Sequence, residues 1–198
     1  DWPAEFRIML LRRESSLARD AGRYPEALAL SREALRASTA TGDWRLEVIA
    51  RHNLGDLLWE MGPIEDAARE AAQLALEMRS RPAAENDMDM LYSNLMGILS
   101  EIGRIDEASA AATTGLPLMR RSRRYFTEEW AYLFWRRGQL EAAATLVGAV
   151  EAETVRSSTP PQPNEARLLA QARPALEGAL APEVFARCLV AGAALDPS

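Results

Sequence analysis

The chain has 198 residues, a formal net charge of −6 and an apolar fraction of 48%, enough to bury a core without disulfides or metal. Its single cysteine, Cys188, and single histidine, His52, exclude an internal disulfide and a multi-cysteine metal site, and the acidic balance argues against a generally nucleic-acid-attracting surface. No apolar run approaches the roughly 18 to 20 residues of a membrane span and Asp1-Trp2-Pro3 shows no signal peptide, so we expect a cytoplasmic chain, and the missing initiator Met suggests an excised fragment. All 23 basic residues are arginine, which we read as the bias of a GC-rich genome rather than selection for guanidinium chemistry.

In chain order, one phrase occurs four times: AGRYPEALALSREAL (21–35), MGPIEDAAREAAQLAL (61–76), IGRIDEASAAATTGL (102–116) and RGQLEAAATLVGAV (137–150). Its glycines, Gly22, Gly62, Gly103 and Gly138, are 40, 41 and 35 residues apart, the interval of a solenoid whose units must stack to bury their apolar faces. Before each glycine lies an apolar stretch with helical spacing, such as Leu54, Leu57, Leu58 and Met61, or Leu91, Leu95, Ile98, Leu99 and Ile102. After it comes an Ala-rich segment of high helix propensity, entered through Pro25 or Pro63 in the first two cases. Each unit therefore reads as a helical hairpin, with the glycine turning the backbone left-handed. Ala27, Ala67, Ala108 and Ala143 hold equivalent positions, where small side chains allow close packing, and Gly55 is assigned the same role. RSSTPPQPN (156–164) interrupts the pattern, and two further helices over 165–198 read as a closing cap.

These phrases resemble the tetratricopeptide repeat. Leu54-Gly55 matches that family's first-helix pair, and Gly62, Ile64 and Ala67 match its Gly, apolar and Ala positions. Met96 and Ala131 replace the first-helix Gly, the terminal Pro of the consensus is not evident, and the stretches STATGDWRLE (38–47) and RSRPAAENDMD (79–89) lengthen the interval. The resemblance implies an all-α, right-handed superhelix: an α-solenoid of about four hairpins (approximately 5–36, 44–79, 88–120 and 125–155) plus capping helices, in one structural domain. AAATLVGAVEA (142–152), the Pro-rich loop and ALEGALAPEVFARCLVAGAAL (175–195) are also similar to the end of large bacterial regulators that join a winged-helix or cyclase output domain, an ATPase and such repeats.

Little in the chain supports catalysis. His52 and Cys188 are isolated and read as a helix-surface residue and a small core residue, and no Gly-Lys-Ser/Thr phosphate loop occurs. The acidic pairs Glu128-Glu129 and Asp87/Asp89 read as solvated faces. The basic stretch MRRSRRYF (119–126) admits three readings: a helix end favoured by its dipole, a contact for acidic protein surfaces, or a nucleic-acid contact. No cofactor or metal is implied.

In the register of the resemblance, first helices line a concave groove. That places Asn53 and Asn94 inward, where an amide can both donate to and accept from an extended peptide backbone. Arg12, Arg13, Ser16 and Arg19 from the first unit, His52, Asp56 and Trp59 from the second, Ser93 from the third and Tyr132, Trp135 and Arg136 from the fourth share that face. Trp59 and Trp135 stand equally well as groove or packing residues. Lys is absent and Ser93 and Gly97 occupy positions where the chaperone-binding branch needs basic groups, which argues against a chaperone-tail receptor. The expected function is a non-catalytic module binding a protein, a peptide or a small-molecule inducer within a larger bacterial regulator. The alternative is a scaffold that self-associates as a homo-oligomer; neither membrane nor nucleic acid is an expected partner of this fragment.

Overall fold

The computed structural model describes residues 3–79, 88–122, 127–158 and 160–195. Among them the chain is all-helical, with α1 (Ala4–Asp20), α2 (Tyr24–Thr41), α3 (Trp44–Met61), α4 (Ile64–Met78), α5 (Met88–Glu101), α6 (Ile105–Ser122), α7 (Thr127–Arg136), α8 (Leu140–Ser157), α9 (Pro163–Ala179) and α10 (Pro182–Ala193). They fall into two compact units, Asp1–Ala84 and Glu85–Ser198.

In the first unit each helix packs on its neighbour in sequence, making the hairpins α1/α2 and α3/α4 with α2 also against α3. The turns fall where the sequence places them: Gly22 and Gly62 have φ of 71° and 106°, a left-handed conformation in which a side chain would clash. STATGDWRLE lengthens helices instead of looping out, since α2 runs to Thr41 and α3 starts at Trp44 behind Asp43, whose side chain accepts the Arg45 N–H at 2.9 Å. Ala18, Ala27 and Leu57 pack together under Tyr24, Leu28, Leu30 and Met61. All four repeat alanines, Ala27, Ala67, Ala108 and Ala143, are 0% exposed, so any larger side chain there would force helices apart. Gly55 differs from its expected role: a Cβ built there meets nothing within 4 Å, so it marks no close helix approach.

In the second unit α5 pairs with α6, α7 with α8, and α7 also packs on α5 and α9. The final helices stack on different partners, α9 on α7 and α10 on α8. The α8/α10 crossing is at backbone distance, because a Cβ on Gly192 would collide with the Thr145 carbonyl oxygen and one on Gly148 with the Leu189 carbonyl oxygen. Cys188 is buried on α10, as a small hydrophobe.

This enclosure corrects the expectation for the acidic pairs. Asp89 on α5 and Glu129 on α7 are each 1% exposed instead of lying on solvated faces, because α7 is packed on several sides. Asp87 lies outside the described residues. Burial, reinforced by repulsion from Glu165, pushes the Glu128 carboxyl up to about 7.

Candidate functional site: a polar cleft in the first unit

A cleft of about 50 Å³ opens between α1, α2 and α3. Arg12, Ser15, Ser16 and Arg19 come to it from successive turns of α1, Ser31 and Ala34 from α2, and Ala50, Asn53, Asp56 and Leu57 from α3. Small residues at 34 and 50 leave the space; longer side chains at Arg12, Arg19 and Asn53 line it.

Most polar groups of the cleft are already committed. The Ser15 hydroxyl donates to the Ala27 carbonyl at 2.9 Å and lies 2.8 Å from the Ser31 hydroxyl, and the Ser16 hydroxyl donates to the Arg12 carbonyl at 3.2 Å. Arg19 Nε lies 3.5 Å from Asp20 Oδ1 and 3.7 Å from Glu60 Oε2. Burial holds the Glu60 carboxyl above the usual carboxylate range, and Arg19 and the Tyr24 hydroxyl offset this only in part. Asp56 Oδ2 lies 3.4 Å from His52 Nε2, one helical turn away.

Two groups remain. Neither the Arg12 guanidinium nor the Asn53 amide makes a side-chain hydrogen bond or ion pair among the described residues, and Arg12 Nε is shielded from solvent. Burial pushes the Arg12 guanidinium below its usual value, with no carboxylate near enough to restore it. Arg51, also on α3 and only 8% exposed, shows the contrasting case. It donates from Nε to Glu70 at 2.6 Å and from Nη1 to Glu77 at 2.5 Å, and these partners raise its value despite burial.

The other residues expected in the groove are placed differently. Arg13 is exposed on α1 outside the cleft, and Trp59 on α3 is 2% exposed, which closes it to a ligand and makes it a packing residue. In the second unit Ser93 is fully buried and Asn94 half-buried on α5. Tyr132 is buried, donates from its hydroxyl to Gln171 Oε1 at 2.9 Å and meets Trp135 edge-on at 5.1 Å between ring centroids. Trp135 is half-buried beneath the Arg136 guanidinium. Arg136 donates from Nη1 to the Ser100 carbonyl at 2.8 Å, satisfying the C-terminal end of α5, and so is not a spare groove cation. Beside it Arg167 clamps Glu101 through Nε at 2.9 Å and Nη2 at 3.0 Å, tying α9 to α5. Tyr132, Trp135 and Arg136 therefore belong to the joints between helices.

Ser15 and Ser31 of the cleft, and Arg51 beneath α4, were not singled out from the sequence. Ser31 lies on a second helix, outside the face considered, and nothing in the spacing distinguishes Arg51 from an exposed arginine.

No family model matches the chain, and no curated protein matches it. Among solved structures it is similar to a kinesin light chain-like protein of Podosopora anserina made of nearly identical TPR-like repeats: TM-score 0.65, 16% identity, 98% of each chain covered. The fold is that of TPR-like repeats. At that identity the likeness extends to the TPR-like helical architecture alone. Among the described residues no helix is long and apolar enough to cross a membrane, and no group of three or more His, Cys, Asp or Glu side chains could hold a metal ion.

Proposed function

We propose that the chain is a non-catalytic binding module whose first unit receives an anionic group of a protein, a peptide or a small-molecule inducer. The observation that carries this is the polar cleft in which Arg12 and Asn53 are left without partners among the described residues, while Arg51, on the same helix as Asn53, is paired. A desolvated guanidinium without a counterion is costly to a fold, and a bound carboxylate accepting from its fork would offset that cost. Asn53 can donate to the same group or hold a neighbouring backbone amide. TPR-like repeats generally serve as protein-interaction modules, which agrees with a binding role. The similarity of residues 142–195 to the ends of bacterial regulators supports a place as the sensor part of a signalling or transcriptional protein of the cytoplasm. There, occupancy of the cleft biases an attached output domain only as far as the ligand binds one state more tightly than the other.

A second reading, a self-associating scaffold, rests on α1. Phe6, Met9, Leu10 and Leu17 are all exposed there at spacings that put them on one stripe.

Native mass spectrometry of the full-length parent protein from its own cytosol, as wild type and Asn53→Ala, separates the two. The sensor predicts a co-purifying ligand that the folded variant loses. A ligand-free protein in both forms, assembling with concentration, would reject the sensor in favour of the scaffold.

A further inference from the structure

The second unit contains a separate groove of about 520 Å³ between α6 and α7. It arises because α6 is drawn the other way: a Cβ on Gly115 would lie 2.6 Å from Tyr92 Cβ, so α6 sits tight on α5 and leaves room towards α7. The volume is in the range of small-molecule sites rather than of packing defects. Its walls are mainly apolar, with Ala112, Leu116 and Pro117 on α6 facing Trp130 and Leu133 on α7.

The polar groups of this groove are few, and both charged side chains that line it are arginines. The Ser109 and Thr113 hydroxyls donate to the Ile105 and Ser109 carbonyls, both at 2.8 Å, and so are spent inside α6. Arg120 and Arg137 line the groove, are exposed, and make no ion pair among the described residues. The Trp130 ring in the same wall meets Phe134 edge-on at 5.7 Å between centroids. Pro117 supplies no N–H to the Thr113 carbonyl one turn back, leaving a bare backbone acceptor in the wall. Among the described residues the lining therefore offers two guanidinium groups and no carboxylate, around an apolar body. The short connection from α6 to α7 makes the two helices antiparallel. Arg120 and Trp130 then share one end, and Arg137 with Ser109 and Thr113 the other.

We propose that the α6–α7 groove binds an organic carboxylic acid with an apolar aliphatic or aryl body. The body lies between Leu116, Pro117 and the Trp130 ring, and Arg137 takes the carboxylate as a forked pair. Arg120 closes the far rim over Trp130. This site is independent of the cleft between α1 and α3, and shares no residue with it.

The test is ¹⁹F NMR of the full chain carrying 5-fluorotryptophan, with the Trp130 resonance assigned by Trp130→Phe. Decanoate and 2-naphthoate are titrated in, with decanol and 2-naphthamide as neutral counterparts and chloride at matched ionic strength. The proposal predicts a saturable shift of the Trp130 resonance with either acid and at least about tenfold weaker binding of the neutral compounds. Arg137→Gln should remove that preference while leaving affinity for the neutral compounds unchanged, and Ala112→Phe should block both. Helicity by circular dichroism, and the unmoved resonance of Trp44 in the other unit, show that the variants are folded. Equal affinity for acid and neutral compound, or a preference that survives Arg137→Gln, would overturn the proposal. So would the failure of every probe, including the case where a partner protein instead protects this groove from hydrogen exchange.

Discussion

At the scale of single residues, two half-buried charges carry opposite lessons. Arg12 is desolvated without a counterion, so its removal should relieve the free protein. Arg12→Met is expected to raise stability by about 1 kcal/mol, the usual cost of an unsatisfied shielded donor, in urea unfolding of the ligand-free chain, while abolishing anion binding. A loss of stability would mean that Arg12 is paid for within the fold. Glu128 is a carboxyl held at about 7 against an ordinary 4.5 by burial and by Glu165. The folded state then binds the proton more tightly than the unfolded chain, so the stabilisation is fully present below about pH 4.5 and is lost as pH rises through about 7. That gap corresponds to at most about 3 kcal/mol, and the position of Glu128 in the first turn of α7, where the dipole supports an anion, reduces it. Glu128→Gln should therefore be the more stable protein at pH 8 and flatten the decline between pH 5 and 8 in thermal melts. Parallel curves for the two proteins would remove Glu128 from the account.

At the scale of elements, glycines with different surroundings make opposite predictions. Gly55 lies inside α3 with no atom within 4 Å of a built Cβ, so Gly55→Ala should stabilise by about 1 kcal/mol through helix propensity alone. Gly192 meets the backbone of α8, and Gly192→Ala should cost about 3 kcal/mol and free α10, seen as fast amide exchange confined to Pro182–Ala193. In sequence Gly55 carries the look of a contact glycine, whereas Gly192 stands unremarked within the capping segment 165–198. The reason is physical. A turn glycine announces itself through its helical flanks, as Gly22, Gly62, Gly103 and Gly138 do, and all four adopt positive φ. A crossing glycine depends on which distant helix arrives opposite it, and that pairing of α8 with α10 leaves no local trace. The same holds for Tyr132 and Arg136: a helical register shows which face they occupy, but not that Ser100 and Gln171 wait there as partners.

At the scale of the molecule, the hairpin plan was legible because it is periodic. Four glycines, four fully buried alanines and the apolar stretches before them all point to TPR-like repeats, and each of the four glycines stands between two helices. The candidate site was legible only in part. Arg12, Ser16, Arg19, Asn53 and Asp56 share one cleft because successive first helices present the same register, whereas Trp59 and Ser93, with the same apparent pattern, are enclosed by packing that only the fold decides. The proposed function rests on what such packing leaves unpaired among the described residues, which in the first unit is Arg12 with Asn53. The direct measurement is side-chain NMR of the full chain, following the Arg12 Nε–H and Asn53 amide resonances during titration with the acetylated, amidated tripeptide Gly-Asp-Gly, and with its Gly-Asn-Gly counterpart. The account predicts a saturable shift at Arg12 and Asn53 with the aspartate peptide only, and none at exposed Arg13. Shifts of equal size at Arg12 and Arg13, or none at either, would contradict a receptor cleft in the first unit.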